Sequence, residues 1–354
     1  MNQVSLPQVM HHQFNSEFSN DRLDHPATWR GDQLFQSPFW RIPFEPHWLQ
    51  ENRKLGSVFN LSSDFTGLLH RIQAELEDGY GAVLLSGFPV ERFLCRNEGL
   101  ELLKSTFTKM ASVVGTPVSQ SAAGEQVFSV RNEGFAENDS RSRGPNTKKK
   151  LSFHTDRCDV ISFLCVQQAK SGGDNQVVSS MSIYNEVLEC RPDLVDVLMQ
   201  PFFYQRHNVD LGNQNQLISQ PIFSFCQSRF AANYLRVLIE RAYQSKEIPE
   251  MSDIQREALD YVDLIASDSS LHATFRQETG DILFLNNWVT FHRRTEFEDH
   301  DEIALRRHLL RIWLSVPNSR PLDSGFAENY GSTTAGAIRG GMQAAKTTKD
   351  QSTN

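Results

Sequence analysis

The order of the strand-like and helix-like segments is the feature that most limits how this chain can fold. Apolar segments bounded by Gly, Pro or polar turns are predicted to be strands, and they lie at 82–90, 126–134, 160–169, 279–292 and 306–316. Helix-like segments at 182–199 and 252–268 are inserted before the last two of them. Because strands and helices do not alternate, the sequence predicts a mainly β fold with inserted helices (α+β), a β-sandwich or barrel rather than βαβ units.

Two helix predictions rest on apolar residues that recur at helical spacing. In 62–81 the stripe consists of Phe65, Leu68, Leu69, Ile72 and Leu76. Ser62 or Ser63 can cap the start of this helix, and glycines at positions 79 and 81 mark its end. In 252–268 the stripe consists of Ile254, Ala258, Tyr261, Val262 and Ile265. The helix at 182–199 is predicted to break or restart at Pro192.

The chain divides into three predicted parts. Residues 1–60 are irregular and rich in Pro, His, Trp and Phe, which is typical of an arm that wraps a core or covers a pocket, with Trp29 and Arg30 as candidate lid residues. Residues 61–320 form the main domain, with a helical insertion at about 180–270. Residues 321–354 are an extension rich in Gly, Thr and Lys, whose last dozen residues are predicted to be disordered.

Composition excludes several classes of function. The net charge of -8 and the pI near 5.8 argue against broad nucleic-acid binding, which usually needs a basic domain. No run approaches ~18 apolar residues, so no membrane span is predicted, and the N-terminus does not have the pattern of a secretory signal. The five cysteines form no CxxC pair, which favours reduced thiols and a cytoplasmic location. A homo-oligomer stays open.

A His and an Asp stand two residues apart in LSFHTDRCDV, residues 151–160. If this stretch is extended, His154 and Asp156 point to the same face and form one side of a metal clamp, although an ordinary hydrogen-bonded pair has the same spacing. His292, which ends the apolar segment LNNWVTFH, is the best candidate for a third ligand, because two His and one carboxylate suit non-haem iron. The alternative for His292 is a strand-end histidine bonded to a neighbouring loop.

The segment RRHLLRIWL places Arg307 and Arg311 four residues apart on one face of a predicted strand, whose other face is almost wholly apolar. Arginines are rarely buried without a partner. Two explanations stay open: internal Asp or Glu residues pair with them, or they meet anionic ligands. A guanidinium presents a rigid fork that matches a carboxylate.

Five motifs follow one another along the chain: GYGAVLLSGFPV, FHTDRCD, SGGDN, FLNNWVTFHRRTEF and RRHLLRIWLS. Through them, most of residues 60–316 resembles the taurine/2,4-D dioxygenase (TauD/TfdA) family of Fe(II)/2-oxoglutarate oxygenases. The resemblance implies a double-stranded β-helix core (jelly roll, cupin-like) and Fe(II) held by His154, Asp156 and His292. It also implies that Arg307 binds the C5 carboxylate of 2-oxoglutarate and that Arg311 binds an anionic group of the substrate.

Asn175 departs from the family pattern, which often has a Thr after the Gly pair that hydrogen-bonds the distal carboxylate of the co-substrate. An amide can donate to the same oxygen, so we expect Asn175 to bind the co-substrate together with Arg307. Arg157 and Arg131 are further candidates for contact with the substrate. Strand alternation places Arg157 on the face opposite to Asp156.

The reaction that the resemblance implies is oxidation, most often hydroxylation, of a C–H bond in a small anionic substrate, such as an amino acid or a carboxylate-bearing metabolite. The implied cofactor is Fe(II), the co-substrates are 2-oxoglutarate and O2, and succinate and CO2 are released. Two alternatives stay open at this point. A zinc hydrolase could use the same two His and one Asp, and a non-catalytic cupin-like binding protein would need neither arginine.

Overall fold

The computed structural model describes residues 21–52, 58–134, 146–206, 210 and 215–343. The first twenty residues of the predicted arm and nearly all of the segment predicted to be disordered lie outside the described residues. The strands are β1 (Arg41–Pro43), β2 (Leu49–Asn52), β3 (Val58–Leu61), β4 (Ala82–Ser86), β5 (Thr116–Val118), β6 (Val127–Val130), β7 (Val160–Gln167), β8 (Ser171–Gly172), β9 (Asn175–Ser179), β10 (Phe202–Gln205), β11 (Leu217–Gln220), β12 (Phe223–Cys226), β13 (Arg229–Ala232), β14 (His272–Phe275), β15 (Ile282–Asn286), β16 (Thr290–Arg294), β17 (Phe297–Glu298) and β18 (His308–Ser315). The helices are α1 (Ser63–Asp78), α2 (Glu91–Leu94), α3 (Gly99–Val114), α4 (Ser180–Cys190), α5 (Pro192–Met199), α6 (Arg236–Ala242), α7 (Asp253–Ser267) and α8 (Ala327–Tyr330).

A large sheet runs in the order β1-β4-β15-β7-β18-β5, with β6 also paired to β18. Its pairs are antiparallel except for β1 with β4. The central strands β15, β7 and β18 are almost continuously apolar in sequence, because both faces of this sheet are covered.

Helices α1 and α3 cover the outer face of the large sheet. The predicted stripe of α1 is buried in full, and Ser62 caps the helix by accepting from the backbone N–H of Phe65 at 3.3 Å. The stripe packs against alternate residues of the sheet, such as Val83 of β4 and Leu164 of β7, in one apolar cluster. This layer fixes the direction in which the other face of each strand points, which is toward the interior of the sandwich.

A smaller sheet, β14-β9-β16, faces the large one. The predicted strand at 279–292 is in fact two strands, since a turn begins after Asn286, whose side-chain oxygen accepts from the backbone N–H of Trp288 at 2.9 Å. As a result β15 lies in the large sheet and β16 in the small one. Val177 of β9 meets Leu283 of β15 and Trp313 of β18 between the sheets. The core is therefore a β-sandwich, as the sequence predicts.

The insertion packs on the outer face of the small sheet. Helices α4, α5 and α7 bury their apolar faces there together with two hairpins, β10–β11 and β12–β13, that the sequence analysis does not predict. The break at Pro192 is confirmed, because α4 ends at Cys190 and α5 begins at Pro192. The stripe of α7 is only partly right: Ile254 is 40% exposed in the first turn, and Leu259 is buried instead.

The two ends of the described chain pack against this core. In the N-terminal arm, Trp29 is buried and its Nε1–H donates to the carbonyl of Tyr80 at 2.9 Å, while Arg30 forms an ion pair with Glu186 at 2.6 Å. Neither is brought to the site described below. In the C-terminal segment (residues 316–343), Arg339 is fully buried and its Nε lies 2.7 Å from Oδ1 of Asp159.

Candidate metal centre

The side chains of His154, Asp156 and His292 meet at one end of the sandwich. Their candidate ligand atoms all lie within 4.8 Å of one another. His292 lies on β16, and its backbone N–H and C=O exchange two 3.0 Å hydrogen bonds with those of His154. This bridge brings together residues that are far apart in the sequence. Asp156 is fixed by its own backbone N–H, which donates to Oδ1 of Asn287 at 3.1 Å.

The stretch around Asp156 is not the extended strand that the spacing suggests. Only His154 makes a β-bridge, and the backbone N–H of Cys158 bonds the carbonyl of Asp156 at 2.9 Å, which closes a tight turn around Arg157. The two side chains therefore converge as predicted, but through a backbone conformation other than the predicted strand. The predicted face of Arg157 is therefore wrong, because Arg157 lines the same cleft as Asp156 and does not point to the opposite face. Its predicted contact with the substrate stays a prediction.

Hydrogen bonding orients the first imidazole. Nδ1 of His154 lies 2.9 Å from the carbonyl oxygen of Ser152, so Nδ1–H donates and the lone pair of Nε2 is left for a metal. Burial, and next the proximity of His292, lower the pKa of His154 to about 4. The imidazole is therefore neutral at physiological pH, which is the form that binds metals.

The carboxylate of Asp156 is held in its ionised form. Burial alone would raise its pKa, but the attraction of Arg311 and the neighbouring imidazole of His292 outweigh burial and lower the pKa well below its usual range. Nη1 of Arg311 and Nε2 of His292 lie 3.5 and 3.6 Å from Oδ2 of Asp156. Two imidazoles and one carboxylate form a donor set that fits a divalent cation such as Fe(II). In addition, Nδ1 of His292 is buried without a hydrogen-bond partner.

Arg307 is a buried cation whose charge is not balanced by an ion pair among the described residues. Its side chain stands just before β18, is 5% exposed, and leaves Nη1 without a hydrogen-bond partner. The guanidinium lies over the ring of Phe297 at 5.2 Å. Burial lowers the pKa of Arg307 to about 10, so the group is charged at neutral pH at an energetic cost. An anionic ligand would offset that cost.

Asn175 lies on β9 and shares a face with His292. Arg294 pairs with Asn175 and His292 pairs with Val177, and paired residues on neighbouring strands point the same way. The Asn175 amide donates to Oε1 of Gln277 at 3.3 Å. No hydrogen bond joins Asn175 to Arg307 within the part of the chain that the structure describes.

Arg311 has a protein carboxylate beside it. For this arginine, pairing with an internal acidic residue is therefore observed, which is the first of the two explanations that the sequence left open. Besides the contact with Asp156, its Nε–H donates to Oε1 of Gln120 at 2.7 Å. The guanidinium also lies 5.0 Å from the ring of Trp313. The sequence analysis missed Gln120 and Asn287, because their roles depend on tertiary position and no local pattern marks them. Arg131, a weaker candidate for substrate contact, forms an ion pair with Glu133 at 2.9 Å.

A cleft opens beside Asp156 and encloses about 570 Å³ including its mouth. We call it the Arg157 cleft. It is lined by Thr155, Asp156, Arg157, Tyr204, Gln205, Arg206, Asp210, Ile218, Gln220, Asn233, Leu235, Leu238, Trp313, Asn329 and Met342. Much of its wall comes from the insertion and from the C-terminal segment. A separate, smaller cleft is lined by Arg307 and Gly173, with Cys165, Gln277 and Leu309 among its other residues.

A β-sandwich with a cluster of two His and one Asp at its mouth and a buried arginine nearby defines the class of non-haem iron oxygenases. Comparison with known proteins gives the family. The model of the family described as taurine catabolism dioxygenase TauD, TfdA family matches residues 43–313, and the chain belongs to this family. It is thus a 2-oxoglutarate-dependent non-haem iron dioxygenase with a jelly-roll core, and it uses Fe(II), 2-oxoglutarate and O2. The resemblance found in the sequence is confirmed.

The individual relatives are more distant. The chain is 30% identical to FR-33289 synthase of Streptomyces rubellomurinus over 258 residues, which are 72% of this chain and 74% of that protein. It is 33% identical to the taurine hydroxylase-like protein SAT17 of Stachybotrys chartarum over 170 residues, 47% of this chain and 43% of that protein.

Solved structures show the same fold at lower identity. Asparagine oxygenase in complex with Fe(II), 2S,3S-3-hydroxyasparagine and succinate superposes with a TM-score of 0.54 at 17% identity, covering 72% of this chain and 80% of that one. The non-haem iron oxygenase OrfP in complex with Fe, succinate and (3R,4R)-dihydroxy-L-Arg gives 0.56 at 16% identity, covering 84% and 99%. The described helices include none that is both long and apolar enough to cross a bilayer.

Proposed function

We propose that this dioxygenase hydroxylates a C–H bond of a small anionic substrate, such as an amino acid or another carboxylate-bearing metabolite. Solved relatives with the same fold were crystallised with hydroxylated asparagine and arginine, which supports the amino-acid class. The cleft beside Asp156 is lined by charged, polar and apolar side chains, a mixture typical of sites that bind small molecules.

The metal ligands in this proposal are His154, Asp156 and His292. Fe(II), when bound, supplies the coupled reduction of O2 and oxidative decarboxylation of 2-oxoglutarate that yield succinate, CO2 and an oxidised substrate. The protein contributes a pre-formed donor set: the contact with Ser152 fixes the tautomer of the first histidine, and Arg311 keeps the carboxylate ionised.

Arg307 is proposed to receive the distal carboxylate of 2-oxoglutarate. Nη1 of this buried guanidinium has no hydrogen-bond partner, and a charge-assisted contact with a carboxylate in a dry site is strong. Gly173 keeps room for it, since a Cβ there would lie 3.2 Å from Nε of Arg307. Asn175, on the face shared with His292, is proposed to assist with its amide.

Aromatic side chains close the interior around the metal ligands. The ring of Phe163 lies 5.9 Å from that of His292, and Trp313, which belongs to the apolar layer between the sheets, lies 5.0 Å from the guanidinium of Arg311. Such a lining excludes water from the reacting C–H bond and strengthens the electrostatic contacts at its edge. Arg311 and Arg157 are the cations that face this region, and both are candidates for the anionic group of the substrate.

The convergence of the three ligand side chains is the observation that carries the proposal. We expect His154→Ala, Asp156→Ala and His292→Ala each to lose bound iron and succinate formation from 2-oxoglutarate. His47→Ala is the matched control, because His47 is an exposed histidine paired with Asp64 far from the site. Full iron content and turnover in any one of the three variants would refute the assignment. Metal binding without consumption of 2-oxoglutarate would refute the reaction.

A further inference from the structure

We propose that Arg157 anchors the anionic end of the substrate, so that the Arg157 cleft selects molecules with a terminal carboxylate, sulfonate or phosphonate. This inference deepens the proposed function and rests on it. The family resemblance assigns the anion to Arg311 instead. Arg311 contacts Asp156 and Gln120, however, whereas Nε of Arg157 is buried in the cleft wall without a hydrogen-bond partner.

The guanidinium of Arg157 is held on one side only. Its Nη1 lies 2.8 Å from Oδ2 of Asp210 and donates to Oδ1 of Asn329 at 3.1 Å. Its Nε is buried and has no hydrogen-bond partner, and the side chain as a whole is 13% exposed. A buried donor without a partner costs free energy. The Nε side of the guanidinium is the edge that can form a two-point contact with a planar or tetrahedral oxyanion.

The C-terminal segment fixes the position of Arg157. The carbonyl of Arg157 accepts from the backbone N–H of Gly341 at 2.8 Å. Gly340 packs so closely that a Cβ there would lie 2.6 Å from the same carbonyl oxygen, and its φ of +76° suits glycine alone. A side chain whose backbone is clamped in this way presents its charge with little loss of entropy on binding.

The charge of the cleft favours an anion. Apart from the proposed metal ligand Asp156, its charged side chains are two arginines and one aspartate. Arg206 donates from Nε and Nη2 to the backbone carbonyls of Asn215 and Glu328, so its guanidinium is largely used in holding the fold. Asp210 lies 2.8 Å from Nη1 of Arg157 and 3.5 Å from Nη1 of Arg206, so the two arginines share one uncompensated positive charge, and Arg157 has a buried N–H without a partner to offer to an anion. Leucines, Trp313 and Met342 provide an apolar wall for the rest of the molecule.

The clefts of Arg157 and Arg307 share no lining residue. An anion held by Arg157 would therefore not compete with the carboxylate of 2-oxoglutarate at Arg307. Substrate and co-substrate would each bring one negative charge to a different arginine, and the substrate would extend from Arg157 toward Asp156 and the metal.

The test uses an isosteric pair of probes, butane-1-sulfonate and the neutral butane-1-sulfonamide. Each is titrated by calorimetry into the full-length, metal-free protein. We expect the sulfonate to bind at least about tenfold more tightly than the sulfonamide, and Arg157→Gln to remove about tenfold or more of the sulfonate affinity, the effect expected for a charge-assisted contact. Arg157→Lys should retain part of it. Arg30→Gln, which removes an arginine outside the cleft, should change nothing.

Equal affinity for the two probes, wild-type affinity in Arg157→Gln, or a loss seen in Arg311→Gln alone would each overturn the inference. Melting temperatures of the variants show whether they are folded. If Arg157→Gln does not fold, the affinity of Arg157→Lys for the sulfonate is compared with that of the wild type instead. The titrations need no turnover. If the wild-type protein forms no succinate, the proposed function is refuted, but the anion titrations can still be interpreted. If succinate forms normally and the Arg157 variants bind the anion as the wild type does, only this inference is refuted.

Discussion

Replacement of Arg307 by Gln should weaken the binding of 2-oxoglutarate without lowering the stability of the ligand-free protein. The guanidinium is buried and has no ion pair among the described residues, so its charge is a cost to the metal-free protein and an asset only when an anion is bound. We therefore expect the variant to fold at least as stably as the wild type when both are free of ligand. We also expect it to bind 2-oxoglutarate far more weakly.

Both magnitudes follow from the structure. Burial lowers the pKa of Arg307 to about 10, and the difference from its ordinary value corresponds to roughly 3 kcal/mol. Because the folded-state pKa is depressed, this destabilisation is present at neutral pH and fades only as the pH rises above about 10. Lost packing on Phe297 offsets part of the gain from its removal. The lost charge-assisted contact is worth about 1.5 to 3 kcal/mol, or roughly ten- to a hundredfold in affinity.

The assay has two parts. Urea unfolding of the metal-free proteins gives the free energy of unfolding. Anaerobic titration of 2-oxoglutarate into the Fe(II)-loaded proteins gives the affinity for the co-substrate. Arg306→Gln is the matched control, since the side chain of the neighbouring Arg306 donates to the carbonyls of His300 and Asp301 and does not line the cleft of Arg307. A variant at position 307 that is several kcal/mol less stable but binds 2-oxoglutarate normally would show that Arg307 is a structural residue and would refute the reasoning.

Three further changes have defined outcomes. Arg311→Gln should lower iron retention, because Asp156 loses its nearest cation; iron content after gel filtration checks this, and unchanged retention would contradict it. Gly173→Ala should raise the KM for 2-oxoglutarate several-fold, because its φ is +77° and its Cβ would press on Arg307; steady-state kinetics decide. Arg339→Met should destabilise the protein by about 3 to 5 kcal/mol, because a buried carboxylate loses its partner. A shift in the urea midpoint equivalent to less than 1 kcal/mol would sink this last expectation.

Strands and their faces could be predicted where burial leaves a local pattern. On β18, Leu310 and Ile312 pack against the helix layer while Arg311 and Trp313 point to the interior, as alternation requires. The split of 279–292 into β15 and β16 was not predicted. The turn is made by two asparagines inside an apolar run, and Trp288 is buried for tertiary reasons that no local pattern reveals.

The candidate site was predicted in its ligands and only in part in its surroundings. Spacing and residue type made His154, Asp156 and His292 candidates, the resemblance to the family selected them as ligands, and the structure brings their side chains together. The predicted face of Arg157 was wrong because the chain turns immediately after Asp156. Side chains alternate between two faces only in an extended strand, so a turn of one residue changes the face. Residues that line the cleft from the insertion, such as Asp210, come from segments whose position depends on the whole fold.

The ion pair between Arg339 and Asp159 can form only late in the synthesis of these residues. Asp159 stands three positions after Asp156, and its carboxylate is buried among Trp288 Nε1, the backbone N–H of Val316 and Arg339. Its guanidinium partner is 180 residues further along the chain. At a synthesis rate of ~5–20 residues per second, the loop that carries the proposed metal ligand waits roughly 10 to 40 s for this counter-charge. Iron that arrives before Arg339 has been made therefore meets a loop whose buried carboxylate is still unpaired.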